Sequence, residues 1–184
     1  MDQLPEPWKS FFGELDATLN QEVTLHCLGG FAAKMMYNLP RETSDVDVLP
    51  FGSNLDIQNV LDRGREGSEL HKKYRIYLQV VGLAPIPEGY EARLTEMFPG
   101  TFKHLRLFAL DPYDLALSKI ERNSQRDRDD VKHLARVIPF DLEKLRRRFE
   151  DELKPYLGNP KRENLTLQLW IDAIEEDRAR TRGL

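Results

Sequence analysis

A single cysteine, Cys27, stands in 184 residues. That excludes an internal disulfide framework and any zinc site built on several cysteines, and it is the usage expected of a reducing compartment, the cytoplasm. His26, His71, His104 and His133 are too scattered along the chain to read as a zinc cluster. No apolar run approaches the ~20 residues that span a bilayer. Acids stand near the N-terminus where a secretory leader carries bases, so neither a membrane partner nor export is expected. Neither Ser44 nor Ser118 sits in a glycine-flanked nucleophile elbow, which leaves serine hydrolysis without support. An excess of positive charge is also missing: 27 basic residues against 31 acidic ones give a net charge of −4, so any contact with nucleic acid has to be local.

What the chain does have is 40% hydrophobic and 32% charged residues, enough for one core under a charged exterior. Its length is near the ~100–150 residues of a common domain, with room for a small extension. Trp8, Phe11, Phe12, Leu15 and Leu19 recur at spacings of three and four, the apolar stripe of a helix over residues 6–19. Val23, Leu25, Cys27 and Leu28 read as a strand that runs into Gly29-Gly30, and Phe31 to Tyr37 as a helix stopped by Pro40. From Ser44 to Phe51 polar and apolar residues alternate with period two, so a second strand carries carboxylates on one face. A helix over 55–63 with Asn54 as its possible cap, a break at Gly64 to Gly67, a third strand from Arg75 to Val81, an ambiguous stretch from Glu91 to Met97 and a fourth strand from His104 to Leu110, expected to close the sheet, follow. Beyond Asp111-Pro112, a good helix start, every segment has helical periodicity. The expected fold is α/β (α+β): a mixed sheet of four or five strands flanked by helices over residues 1–110, with a helical region over 111–184 packed on that core. The late stripes Leu142, Leu145, Phe149, Leu153 and Leu165, Leu169, Trp170, Ile171, Ile174 are expected to cover the sheet or pair with another subunit. The run Lys144 to Arg148 offers a small basic patch, limited by the acids of 150–152.

The chemistry concentrates at two places. Asp45 and Asp47, at i and i+2 of a strand, point the same way and can share a hard cation through oxygen ligands, while Val46 faces the core. The Gly29-Gly30 turn at a helix N-terminus lets a phosphate approach backbone N–H groups. Each feature is common by itself; in this order they indicate phosphoryl or nucleotidyl chemistry.

The stretch from Gly29 to Leu49, and in particular Arg41-Glu42-Thr43-Ser44-Asp45-Val46-Asp47, resembles the nucleotidyltransferase superfamily with a polymerase-β-like minimal core, in the version seen in AbiEii-like toxins and related uncharacterised bacterial families. Leu110 to Val131 is similar to the helical segment of those families, in which a lysine sits on one helix and an Arg-Asp-x-x-Asp pattern opens the next. The resemblance implies Mg2+ (or Mn2+) on Asp45 and Asp47, a nucleoside triphosphate (NTP) against Gly29, Gly30, Ser44 and Lys119, and support from Arg41, Arg122, Asp127 and Asp130. The residues themselves leave alternatives open: Lys119 also suits a lysine paired with a carboxylate, and Asp127 and Asp130 also suit pairing with Arg126 or a helix cap.

One position departs from the family pattern. Many active members carry a third carboxylate on a later strand; here Gln79 stands where that acid is expected, and an amide can ligate a metal through its oxygen but cannot take a proton. A non-strand acid such as Glu88 is the alternative. The implied function is metal-dependent transfer of a nucleotide to an acceptor hydroxyl on RNA, a protein or a small molecule, in a toxin–antitoxin setting with an antitoxin or regulatory partner. The rival is a catalytically impaired module of the same fold that binds nucleotide, RNA or a protein.

Overall fold

The structure is a computed structural model, and residues 3–51, 55–82 and 84–182 are described; the possible cap Asn54 lies outside them. The chain forms two compact units, Met1–Leu83 with Arg93–Leu110, and Asp111–Leu184 with Ala84–Ala92.

The first unit is a mixed α/β layer. It contains α1 (Trp8–Asp16), β1 (Val23–Leu28), α2 (Gly29–Tyr37), β2 (Asp45–Phe51), α3 (Leu55–Gly64), α4 (Glu69–Tyr74), β3 (Tyr77–Val80), β4 (Thr95–Met97) and β5 (Leu105–Ala109). The sheet order is β3-β2-β1-β5-β4. β1 runs antiparallel to β2 and parallel to β5, β2 runs parallel to β3, and β4 runs antiparallel to β5. The expected α1 stripe is buried as Trp8, Phe11, Phe12 and Leu15. Phe12 packs on Phe31 of α2 with ring centroids 5.7 Å apart, and on Phe11 edge to face at 5.2 Å. Asp16 closes α1 by accepting the backbone N–H groups of Lys103, His104 and Leu105 at 3.0, 2.7 and 2.7 Å. Burial pushes this carboxyl up, but those three donors outweigh it and hold it below its ordinary range.

Three features differ from the sequence reading. The fourth expected strand, β5, does not close the sheet; it lies inside it, with β4 on its outer edge. β4 itself occupies part of the ambiguous stretch. Between the expected break at Gly64 to Gly67 and β3 lies a further helix, α4, whose N-cap Ser68 accepts the His71 N–H at 3.1 Å, and whose C-cap Arg75 takes a left-handed conformation.

The second unit holds α5 (Pro112–Leu117), α6 (Gln125–Val137), α7 (Leu142–Arg148), a π-helical turn over Phe149–Leu153 and α8 (Pro160–Arg182). Asp111 caps α5 by accepting the Asp114 N–H at 2.9 Å, with Pro112 at the first helical position, as the sequence indicates. Leu142's partners Leu145, Phe149 and Leu153 are buried, as are Trp170, Ile171 and Ile174. Leu165 and Leu169 are not; they stand 61% and 56% exposed because α8 turns Leu167 and Trp170 inward instead. The expected basic patch is also smaller than its sequence. Arg148 is 5% exposed and its guanidinium lies 2.6 Å from Asp111 and 2.9 Å from Asp114.

Candidate active site

β2 sets the first cluster. Val46 and Val48 are fully buried, so the period-two pleat turns Asp45 and Asp47 to the opposite, partly open face. In the antiparallel register Asp47 pairs with Leu28, the last residue of β1, which brings its carboxylate to the strand-to-helix turn. Gly29 there has φ +65°, and a Cβ on it would collide with Asp47 Oδ2. Glycine is therefore required both by backbone conformation and by the close approach of the carboxylate.

The residues before β2 organise the same corner. A Cβ on Gly30 would stand 2.8 Å and 2.9 Å from the two terminal nitrogens of Arg41 and 3.0 Å from Thr43 Oγ1, so guanidinium and hydroxyl both rest on the first turn of α2. Thr43 Oγ1 donates to Asp45 Oδ1 at 2.7 Å and fixes that carboxylate. Thr43 was absent from the expected site; its place two residues before Asp45 in the motif was the available signal.

β3 supplies the other flank. Its parallel register sets Tyr77 beside Asp45 and Gln79 beside Asp47, and Leu78 between them is buried. Gln79 is thus on the neighbouring strand at the level of the aspartates, and exposed. Ser44, also exposed, accepts the Tyr77 N–H through its backbone carbonyl at 3.1 Å. Burial, then the charges of Asp45, Glu66 and Asp47, push the Tyr77 phenol up. Burial and Asp47 do the same to the Cys27 thiol, which keeps it protonated and inert. Among the described residues no group of three or more His, Cys, Asp or Glu is placed to hold a metal. The oxygen donors here are Asp45, Asp47 and the amide of Gln79. Two carboxylates suit Mg2+, which keeps most of its shell as water and substrate phosphate and commonly takes only one or two protein carboxylates.

The second cluster lies within the helical unit. Lys119 is 3% exposed, and its Nζ stands 2.9 Å from Asp130 and 3.7 Å from Asp127, both buried. Arg122 grips Asp127 with Nε and a terminal nitrogen at 2.8 and 2.6 Å. Asp127 also accepts the Ser124 N–H at 2.9 Å, and the Ser124 side chain accepts in return from the Asp127 N–H, forming a capping box at the start of α6. Of the alternatives left open, Asp127 caps the helix, and its arginine partner here is Arg122. Glu88 belongs to this unit as well, where its carboxylate accepts the Tyr156 hydroxyl at 2.8 Å.

Burial pushes Asp127 up, but Arg122, Ser124 and the charge of Lys119 hold its carboxyl well below the usual carboxylate range. A group depressed in the folded state contributes stability that is fully present above its unfolded pKa of ~3.9 and is lost as pH falls through the lower folded value. The melting temperature should therefore fall with acid below about pH 4, and Asp127→Asn should make that slope shallower. Melts at stepped pH values check it, and equal slopes would remove Asp127 from the acid transition.

A β1 strand that runs into a positive-φ glycine, a helix that starts at that turn, and an Asp-x-Asp strand paired antiparallel to β1 define a nucleotidyltransferase-type α/β protein. The family described as nucleotidyltransferase of unknown function (DUF6036) matches residues 10–178, and the chain belongs to that family. Compared with curated proteins and with solved structures, it gives no significant match.

Proposed function

We propose that the protein transfers a nucleoside monophosphate from an NTP to an acceptor hydroxyl, in a reaction dependent on Mg2+ or Mn2+. The observation that carries this reading is the seating of Asp47 against Gly29 at the start of α2, with Asp45 held on the same face by Thr43. Asp45 and Asp47 would hold the cation. When bound, it neutralises triphosphate charge and polarises the α-phosphate. The dipole and leading N–H groups at the α2 N-terminus favour the triphosphate there, and Arg41 rests on the same turn. In the transfer, the bond from the acceptor oxygen to the α-phosphorus forms, the bond to the bridging oxygen breaks, and pyrophosphate leaves. Lys119 enters this reading as the partner of Asp130 and Asp127.

With α-labelled NTPs and Mg2+, label should pass to an acceptor, and Asp45→Ala or Asp47→Ala should lower the rate by about a hundredfold or more. NTP with Mg2+ at ~100 times its dissociation constant should also stabilise the chain by ~2.7 kcal/mol.

Gln79 supports a second reading, a nucleotide-binding module with little turnover, because no carboxylate stands at its position to take the acceptor proton. Stabilisation without transfer, together with transfer gained by Gln79→Glu, would establish the module. Absence of both stabilisation and transfer removes the nucleotidyltransferase reading.

A further inference from the structure

An acceptor hydroxyl must reach the α-phosphorus of a triphosphate bound over Asp45 and Asp47, and the strand beside them carries a tyrosine. Tyr77 is the immediate β3 neighbour of Asp45 in the parallel register, one strand spacing of ~4.8 Å away. It shares the open face of the sheet, since Leu78 takes the buried one. A tyrosine side chain is longer than an aspartate, so from this register its hydroxyl can reach beyond the carboxylates, toward a group bound on them.

The ring is held in place. His71 packs on it with centroids 4.9 Å apart. His71 in turn is fixed because its Nδ1 accepts the Gly67 N–H at 2.9 Å and its own N–H is bound by the cap Ser68. The backbone of Tyr77 is tied to Ser44 at the start of the aspartate strand. The two neighbouring hydroxyls do not compete: Thr43 is engaged by Asp45, and Ser44 precedes the strand in phase with buried Val46. Among the described residues, no hydrogen bond occupies the Tyr77 hydroxyl.

We propose that Tyr77 is an intramolecular acceptor, so that the protein nucleotidylates itself at this residue. The inference rests on the nucleotidyltransferase reading above. The phenol oxygen forms a bond to the α-phosphorus, the bond between the α-phosphorus and its bridging oxygen breaks, pyrophosphate departs, and the phenolic proton passes to water. The product is a tyrosyl nucleoside monophosphate that remains over Asp45 and Asp47. Modification is therefore self-limiting at one nucleotide per chain and blocks entry of the next triphosphate.

The full chain is incubated with Mg2+ and each of the four NTPs in turn, then examined by intact-mass and peptide mass spectrometry, with thermal stabilisation by the same NTP measured in parallel. The expected result is a gain of one nucleoside monophosphate on the peptide containing Tyr77. Tyr77→Phe keeps the ring packed on His71, so it should lose the added mass completely and retain the stabilisation. A wild-type chain that NTP stabilises, or that labels another acceptor, without gaining mass at Tyr77 overturns this proposal and leaves the transfer reading standing. A chain that neither gains mass nor is stabilised by any NTP overturns both.

Discussion

Replacing Lys119 by methionine is expected to lower the unfolding free energy by about 3–5 kcal/mol, the range for removing one partner of a buried ion pair. In a chain of this size that corresponds to a melting temperature lower by about 10 °C. The loss comes from what is left behind. Asp130 is 1% exposed and Asp127 fully buried, and the ammonium is the cation 2.9 Å from the first and 3.7 Å from the second. Asp127 also keeps Arg122 and Ser124. Adding Asp130→Asn to Lys119→Met should recover part of the loss, because it removes one of the two buried negative charges that the ammonium faces. Urea unfolding of the single and double variants measures both effects. A single variant as stable as the wild type would mean that the lysine does not neutralise these acids.

Gly29→Ala should reduce stability by at least ~2 kcal/mol and abolish stabilisation by NTP with Mg2+. The left-handed backbone at φ +65° costs a residue with a Cβ ~1–2 kcal/mol, and the new methyl would also force Asp47 off the turn. Gly13→Ala provides the contrast within the same unit. It lies inside α1, a Cβ there meets nothing within 4 Å, and the exchange should stabilise by ~0.5–1 kcal/mol. If both exchanges have the same small effect, Asp47 is not seated on Gly29, and the candidate site loses its central contact.

The central motif was legible because each of its parts is local. Alternation in residues 44–48 is enough to turn Asp45 and Asp47 away from Val46, and a glycine pair between an apolar run and a helix-forming run marks a strand-to-helix turn. The helices of the second unit were legible for the same reason, through spacing and through the helix start at Asp111-Pro112. α4 was missed because its six residues, Glu69 to Tyr74, have no room for an apolar repeat and are announced only by Ser68. β4 was missed because three residues cannot show alternation.

Other features depend on partners far away in the chain. Arg148 belongs by sequence to a surface run of bases, and only its pairing with Asp111 and Asp114, 37 and 34 residues earlier, places it in the interior. Tyr77 carries no motif of its own. It gains its proposed role because β3 pairs with β2 in one register, and a shift of one residue would turn it to the buried side.

By itself the sequence determined the strand, turn, helix and Asp-x-Asp order, the face of the two aspartates, the helical character after residue 110, and the glutamine in place of an acid. These follow from steric rules that act within a few residues. The tertiary structure alone decided that β5 lies inside the sheet beside β1, that Asp47 rests on Gly29 while Thr43 holds Asp45, that Tyr77 flanks them, and that Lys119 is committed to Asp130 and Asp127. Those depend on backbone pairing and charge neutralisation between segments far apart in the chain, and no local periodicity encodes which distant strand or ion a residue will meet.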